Sequence, residues 1–229
     1  DATRAIMASY DILQWMNARD WNSAYLVKTF PSDESNVAGG SDGDQPPYQE
    51  LGVYTYGASN PTITAVWQSN YFGIYRANMV INNVPGNSDL QKQIIGEATF
   101  LRGYYHFKLL TLFEQIILRT DIISQETLDK ELAGRPESWT AIINDFKTAA
   151  EMLPPTNSAE NLGRASKGAA LAYLGKAYLY KAGDISSSES SDFENAADTF
   201  KQIVDDGVGN YSLEPNFLSL FNGENENNS

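Results

Sequence analysis

Three tyrosines and a group of polar side chains lie close together between residues 31 and 61. The candidates for ligand contact are Tyr48, Tyr54, Tyr56, Asp42, Asp44 and Asn60. A tyrosine ring offers an apolar face to the C–H groups of a sugar, and carboxylate and amide groups hydrogen-bond its hydroxyls. Tyr54 and Tyr56 would point to the same side if this stretch were extended. The pattern predicts a site for a polyhydroxylated ligand, although packing of the same rings against helices explains it equally well.

The sequence offers little for catalysis. The single histidine, His106, lies four residues after Arg102 and is better explained as a satisfied structural or surface residue than as a base. Motifs for a nucleophilic serine, a zinc protease or a phosphate loop are absent. Glycoside hydrolysis needs two carboxyl groups at a set separation. The acids that could supply them are Asp33, Glu34, Asp42 and Asp44, but nothing constrains their geometry. We therefore expect no enzyme activity, no cofactor and no metal site.

Composition sets further limits. The chain has 229 residues, 42% of them hydrophobic, so it can bury a sizeable core as one large domain or two small ones. It has no cysteine, which excludes disulfides and thiolate metal sites. Its net charge of −13 argues against nucleic acid as a partner, because phosphate binding needs a basic face. The apolar runs are too short to span a bilayer and no signal peptide precedes Asp1, so we expect a processed or trimmed chain.

The clearest structural signal is a helical pattern over residues 96–113. Its apolar positions recur every three or four residues, as in one face of a helix, at Ile94, Ala98, Leu101, Tyr105, Leu109 and Leu112. Gly96 and Gly103 lie seven residues apart on this helix, where glycine costs about 1 kcal/mol relative to alanine. Two glycines on one face predict that another helix packs very close there.

Further helical patterns flank a long predicted loop. The loop covers residues 31–61, which are rich in Gly, Pro, Ser and Asp and show no sustained period. The flanking helices are expected at 2–17, 62–83, 136–153, 166–182 and 192–206. Expected N-terminal caps are Thr62, Ser166 and Ser191, the last with Glu194 in a capping box. Trp67 shares a helical face with Tyr71 and Ile74, so it is expected in the core.

The later helices match tetratricopeptide-like hairpins. That repeat has Leu-Gly-x-x-Tyr in its first helix, as at Leu174, Gly175 and Tyr178, and Ala-x-x-x-Phe in its second, as at Ala196 and Phe200. Hairpins are predicted at about 92–154 and 165–207. Two degenerate repeats bury too little alone, so the N-terminal helices must complete the stack. The predicted fold is all-α, with tetratricopeptide-like hairpins in a right-handed superhelix, long loops, and one helical region over 1–229.

Five motifs, in order, resemble the SusD/RagB family of outer-membrane glycan-binding lipoproteins. They are GEATFLRGYYHF at 96–107 after WxxxYxxxYRAN at 67–78, INDF at 143–146, LP at 153–154, GRASKGAA at 163–170 and YSL at 211–213. One departure follows the central helix. The family usually has Phe-Gly-x-Val-Pro-Leu there, and this chain has FEQIIL at 113–118.

The resemblance implies a protein on the outer face of a Gram-negative outer membrane, held by a lipid anchor outside this sequence. Such proteins capture glycans for a SusC-like TonB-dependent transporter, and their glycan site also uses a C-terminal part. The chain is therefore interpreted as the N-terminal part of a longer protein. The helical residues Arg76, Asn78, Glu97, Arg102 and Asp145 match family-typical positions and are expected to form a polar network. The alternative is a helical-repeat adaptor that binds peptide or protein on its concave face.

Overall fold

The chain forms a stack of α-helices. The computed structural model describes residues 1–17, 24–32, 34–37, 39–41 and 43–221. Its helices are α1 (Ala2–Asn17), α2 (Ala24–Thr29), α3 (Pro46–Gly52), α4 (Pro61–Asn83), α5 (Asp89–Leu112), α6 (Arg135–Met152), α7 (Lys167–Ala182) and α8 (Asp192–Val204). Short 3-10 turns occupy Ala159–Asn161 and Phe217–Leu220, and one antiparallel bridge joins Ile116 to Ala133 within these residues. The prediction of an all-α, tetratricopeptide-like fold is confirmed.

Consecutive helices pack against each other along the stack. α4 contacts α5, α5 contacts α6, α6 contacts α7, and α7 contacts α8. The pairs α5–α6 and α7–α8 fall within the two segments expected to form hairpins. α1 lies against both α4 and α5 and extends the stack at its N-terminal side. In the described part of the chain, no helix is both long and apolar enough to cross a membrane.

Glycines let α5 lie close to α6. A Cβ atom built on Gly103 would stand 3.0 Å from the Cβ of Asp145 and 3.1 Å from the ring of Phe146. One built on Gly96 would stand 2.8 Å from the Cβ of Met152. A close-packed interior gives way little at such contacts, so a larger side chain has no room at either position. The close helix crossing predicted from the two glycines is confirmed.

The middle of the core is α5, which is buried on more than one side. Leu101, Tyr105 and Leu109 are fully buried, and so are Phe107 and His106 on other faces of the same helix. The ring of Tyr105 lies where a Cβ on Gly73 of α4 would be, and its hydroxyl donates to the carbonyl oxygen of Ser9 in α1 at 2.7 Å. α5 therefore holds α1 and α4 together, while its glycines admit α6.

Two buried ion pairs tie α5 to its neighbours. The Arg102 guanidinium donates two hydrogen bonds to the Asp145 carboxylate of α6, at 2.9 and 2.6 Å, and a third to Asn78 Oδ1 of α4 at 3.1 Å. Glu97, which is fully buried, pairs with Arg164 at 2.9 Å. A buried charge has to be paired or hydrogen-bonded, and both pairs meet that requirement. The expected polar network is present as separate ties, since Arg102 joins α5 to α4 and α6, Glu97 joins α5 to the segment before α7, and Arg76 of α4 pairs with Asp11 of α1 at 3.2 Å.

The segment after α5 is held by side chains of α4 and α5. The Tyr71 hydroxyl donates to the carbonyl oxygen of Ile117 at 3.0 Å and accepts from its amide at 2.7 Å. Asn78 donates to the carbonyl oxygens of Arg119 and Asp121, and Arg102 donates to that of Thr120 at 2.8 Å. These bonds fix the backbone where the chain departs from the family's usual Gly and Pro. The segment is therefore shaped by its neighbours.

The helix caps differ in part from expectation. Ser166 caps α7, accepting from the Ala169 amide at 3.2 Å. The cap of α4 is Asn60, one residue before Pro61, so the expectation of Thr62 was wrong. Ser191 precedes α8 but makes no side-chain capping bond, because its φ of −85° and ψ of −7° are helical and not the extended values that a cap needs. The capping box expected with Glu194 does not form.

Candidate functional site

A groove of about 560 Å³ opens beside the N-terminal half of α4. Five parts of the chain line it: α2, the residues after it, α3 with the segment that follows, α4, and the end of α5. The lining residues are Val27, Pro31, Leu51, Tyr56, Gly57, Ala58, Ile63, Thr64, Trp67, Leu112 and Phe113. None of these side chains carries a charge. The groove can therefore take a neutral ligand with apolar faces, and its lining has no carboxyl, imidazole or amine side chain.

Helix α3 forms one wall of the groove and lies inside the segment predicted as loop. It begins with Pro46 and Pro47, which suit a first helical turn, and it buries Tyr48 and Leu51. The Tyr48 ring packs on Phe30 with 5.3 Å between ring centroids, and burial raises the pKa of its hydroxyl. Tyr48 is therefore buried and does not line the groove, and its packing on Phe30 supports α3. The loop prediction for residues 46–52 is corrected, because tertiary packing makes this short stretch helical.

Asn60 joins α3 to α4. Its amide nitrogen donates to the Pro47 carbonyl oxygen and to Glu50 Oε2, both at 2.9 Å. Its Oδ1 accepts from the amides of Thr62 at 3.0 Å and Ile63 at 3.4 Å. An asparagine side chain has two donor hydrogens and two acceptor lone pairs, and all four are used here. Asn60 therefore positions the groove, and contact with a ligand would have to replace one of these bonds.

Tyr54 lies at the edge of the groove in an unusual backbone conformation. Its φ of 57° lies in the left-handed region, which residues other than glycine seldom adopt. Its hydroxyl donates a hydrogen bond to the carbonyl oxygen of Pro31, which lines the groove, while 66% of the residue stays exposed. Backbone conformations of this kind persist where surrounding structure holds them and are frequent at binding sites. Because residue 54 is not extended, Tyr54 and Tyr56 do not alternate as a strand would place them.

Tyr56 and Trp67 supply the aromatic surface of the groove. Tyr56 belongs to an exposed stretch, residues 53–59, and is itself 42% exposed. Trp67 is half-buried and packs on Tyr71 and Phe113, each with 4.9 Å between ring centroids. Burial raises the pKa of Tyr71 to about 12, consistent with a hydroxyl held inside the protein. Trp67 therefore joins the core, as predicted, and also lines the groove, which the periodicity of α4 did not show.

Asp44 and Glu34, the acidic candidates among the described residues, do not line the groove. Asp44 Oδ2 accepts a hydrogen bond from the Gly40 amide at 3.1 Å, and its side chain occupies the space beside Gly39. Asp44 thus shapes a turn. Asp42 and Asp33 lie outside the described residues. No cluster of three potential metal-ligating side chains occurs in the part of the chain that the structure describes.

His106 is a buried structural residue. Its Nε2 accepts a hydrogen bond from the Arg119 amide at 3.2 Å, so the ring helps to hold the segment after α5. Burial, reinforced by the nearby Arg102 charge, lowers its pKa to about 3. The imidazole is therefore neutral near pH 7. This agrees with the expectation that His106 is a structural residue whose hydrogen bonds are satisfied within the protein.

Sequence reasoning missed the apolar part of the groove. Val27, Pro31 and Phe113 come from segments far apart in the chain, and none belongs to a pattern that marks a site. The available signal was indirect. Phe113 begins the stretch where the chain departs from the family's usual turn, and its ring now packs on Trp67.

Comparisons with known proteins agree on one family. The family model described as "Starch-binding associating with outer membrane", of SusD-like type, matches residues 7–179. Two curated proteins of Formosa agariphila are similar: SusD-like protein P2 is 28% identical over 188 residues, covering 80% of this chain and 35% of that protein. SusD-like protein P25 is 24% identical over 175 residues, covering 73% of this chain and 31% of that protein.

Solved structures share the fold. A "Laminarin binding SusD-like protein" has a TM-score of 0.86 and 24% identity, with 98% of this chain and 48% of that one covered. A surface glycan-binding protein A from Bacteroides thetaiotaomicron, in complex with laminarihexaose, has a TM-score of 0.81 and 19% identity, with 98% and 46% covered. The chain spans about a third of the curated relatives it matches and about half of these structures. Because the family model covers most of its length, the chain belongs to the SusD-like family.

Proposed function

We propose that this chain binds a glycan at the outer cell surface and that the groove beside α4 forms part of the site. The observation that carries the proposal is the uncharged aromatic groove, with Tyr56 exposed on one side and Trp67 half-buried on the other. Sugar rings present C–H faces that pack on such aromatic surfaces. Among the structural neighbours are a laminarin-binding SusD-like protein and a surface glycan-binding protein in complex with laminarihexaose, which supports this class of ligand.

The two exposed tyrosines take different parts in this proposal. Tyr56 lines the groove and would pack directly on a sugar ring. Tyr54 fixes the edge of the groove through Pro31 and still exposes most of its ring for further contact. Hydrogen bonds to sugar hydroxyls would come from the exposed backbone of residues 53–59. Asp44 and Asp42 remain predicted contacts, while Tyr48 and Asn60 would act by holding the wall in place.

The wider role follows from the family. We propose that the protein passes its ligand to a SusC-like TonB-dependent transporter, at the outer membrane named in the family description. In this proposal a lipid anchor and a C-terminal part lie outside the present chain, and the C-terminal part completes the site. About half the length of the solved structures lies outside the region this chain matches, which leaves room for such a part.

Aromatic substitutions test the groove. In Tyr56→Ala, and less strongly in Tyr54→Ala, affinity for a bound glycan from a panel of neutral and acidic polysaccharides should fall about tenfold, equal to about 1.4 kcal/mol. The melting temperature should hardly change, because both rings are exposed. Isothermal titration calorimetry and thermal melting measure the two effects on the same samples.

Tyr75→Ala is the matched control, since Tyr75 on α4 is 45% exposed and does not line the groove. Two results would show that the groove is not part of the glycan site. One is an equal loss of glycan affinity in Tyr75→Ala, and the other is a loss of stability with unchanged affinity in Tyr56→Ala.

We further propose that binding occurs without turnover. The groove lacks a charged side chain, so no carboxyl pair faces a ligand there. Incubation with the same panel should release no reducing ends. Steady release that disappears in Asp44→Asn would show catalysis instead.

A further inference from the structure

Three lysines from three helices, none of which lines the groove, lie near one another. Lys28 of α2 and Lys176 of α7 lie near enough for their charges to lower the pKa of Lys108 of α5. We call Lys28, Lys108 and Lys176 the lysine cluster. Within the described residues, no ion pair joins any of the three to a carboxylate.

Aromatic rings form the floor of the lysine cluster. The Lys108 ammonium lies over the ring of Tyr104, 5.3 Å from its centroid. The Lys176 ammonium lies over Phe107, Tyr173 and Tyr180, at 5.9, 5.7 and 5.7 Å. The rings pack edge to face beneath them, with 5.2 Å between the centroids of Tyr104 and Tyr173. Cation–π attraction holds the lysines on these faces but leaves their positive charges uncompensated.

Such a cluster is unusual in this molecule. Acidic residues outnumber basic ones by 29 to 16, and the buried Lys181 pairs with Asp192 at 3.0 Å and Glu189 at 2.8 Å. At the cluster, burial and then the charges of Lys28 and Lys176 lower the pKa of Lys108 to about 8. Mutual repulsion of the three ammonium groups destabilises the free protein, and an anion bound between them would relieve it.

We propose that the lysine cluster binds the carboxylates of an acidic polypeptide segment. Three cations spread over α2, α5 and α7 suit a ligand with several carboxylates better than a single small anion. A lysine ammonium lies over one face of each of the Tyr104 and Tyr173 rings, which favours ionic contact over stacking by sugars there. Recognition here is ionic, which separates this surface from the uncharged groove and makes it independent of the proposed glycan function.

Poly-L-glutamate is the probe. We expect the chain to bind it at low ionic strength despite the net charge of −13, and to release it as salt is added. In the double variant Lys108→Gln, Lys176→Gln the affinity should fall at least about tenfold. Lys147→Gln should bind as the wild type does, because Lys147 lies over the single ring of Tyr178 at 5.6 Å and has no part in the cluster. Fluorescence anisotropy measures all three.

A second readout needs no variant. Addition of poly-L-glutamate should raise the pKa of Lys108 in the wild-type chain, as followed by NMR of labelled lysine side chains. Lys108→Gln removes one of the three mutually repelling ammonium groups. Its melting temperature should therefore equal or exceed that of the wild type.

Three results would overturn the proposal. They are no binding of poly-L-glutamate, a loss of affinity in Lys147→Gln equal to that in the double variant, or a Lys108 pKa that does not change when poly-L-glutamate is added. Equal or tighter binding of polygalacturonate through the same lysines would assign the surface to an acidic glycan instead.

Discussion

Substitutions at Tyr48 test whether this residue stabilises the wall of the groove or contacts a ligand. Its ring is buried against Phe30, and Tyr48 does not line the groove, whereas Leu51 of the same helix does. Truncation of a buried aromatic costs about 3–5 kcal/mol, so Tyr48→Ala should lower the melting temperature by several degrees. Tyr48→Phe keeps the ring and its packing on Phe30, so it should lose less stability than Tyr48→Ala. If Tyr48→Ala loses glycan affinity while its melting temperature is unchanged, the ring belongs to the binding surface after all.

His106 gives the fold a dependence on pH. Its pKa is lowered to about 3 in the folded chain, whereas an unfolded histidine titrates near pH 6.5. Between these values the unfolded chain binds a proton that the folded chain does not, so the free energy of unfolding falls as the pH falls. The slope from this group is about 1.4 kcal/mol per pH unit.

Urea unfolding of the wild type and of His106→Gln should be compared from about pH 7 to about pH 5. Because both proteins share the same carboxylates, the difference between them isolates the contribution of His106 to the pH dependence of stability. The wild type should lose stability more steeply than the variant on acidification. Parallel slopes would show that His106 is protonated in the folded protein, contrary to its buried hydrogen bond with Arg119.

The chemistry of single residues was predictable, but their roles were not. The sequence showed which side chains could bind a sugar, and Tyr56 does line a groove. Nothing in it could show that Tyr48 faces inward or that Asn60 uses all its hydrogen-bonding capacity on the backbone and Glu50. These roles depend on where α3 sits, and α3 depends on contacts outside itself.

At the scale of helices, the crossing of α5 and α6 gives the sharpest test. Gly103 has no room for a side chain beside Asp145 and Phe146, so Gly103→Leu should be severely destabilising, by several kcal/mol or by failure to fold. Gly57→Leu is the control, because a Cβ at Gly57 meets nothing within 4 Å. Thermal melting of both variants checks the prediction. A Gly103→Leu variant that melts within a degree or two of the wild type would mean that the helices do not cross closely.

Long helices were predictable because their periodic faces report burial directly. α1, α4 and α7 begin and end within one residue of the sequence prediction. α5 also ends within one residue of it but begins earlier, at Asp89, than the pattern over residues 96–113. The short α3 was missed because its seven residues include two prolines and a glycine and hold too few turns to show a period. Its stability comes from burial of Tyr48 and Leu51, which is a property of the tertiary structure.

At the scale of the whole molecule, the groove exists only where five separate parts of the chain meet. Val27, Leu51, Trp67 and Phe113 are brought together by packing, and no local pattern encodes that meeting. The motifs shared with the SusD-like family did predict the architecture, because residues such as Arg102 and Asn78 fix how helices and the segment after α5 fit together.

The same stack has a consequence for the order of folding. Most contacts among α4 to α8 run between helices that follow one another, with residues 113–134 as the longest connection, whereas α1 docks from the end of the chain. Among the described residues its bonds are the most distant in sequence, since Tyr10 accepts from the Ala165 amide across 155 positions and Ser9 accepts from Tyr105 across 96. We expect α1 to dock late and detach early. Native-state hydrogen exchange should then show α1 amides opening at a lower free energy than those of α5, and equal protection would indicate that the stack forms as one cooperative unit.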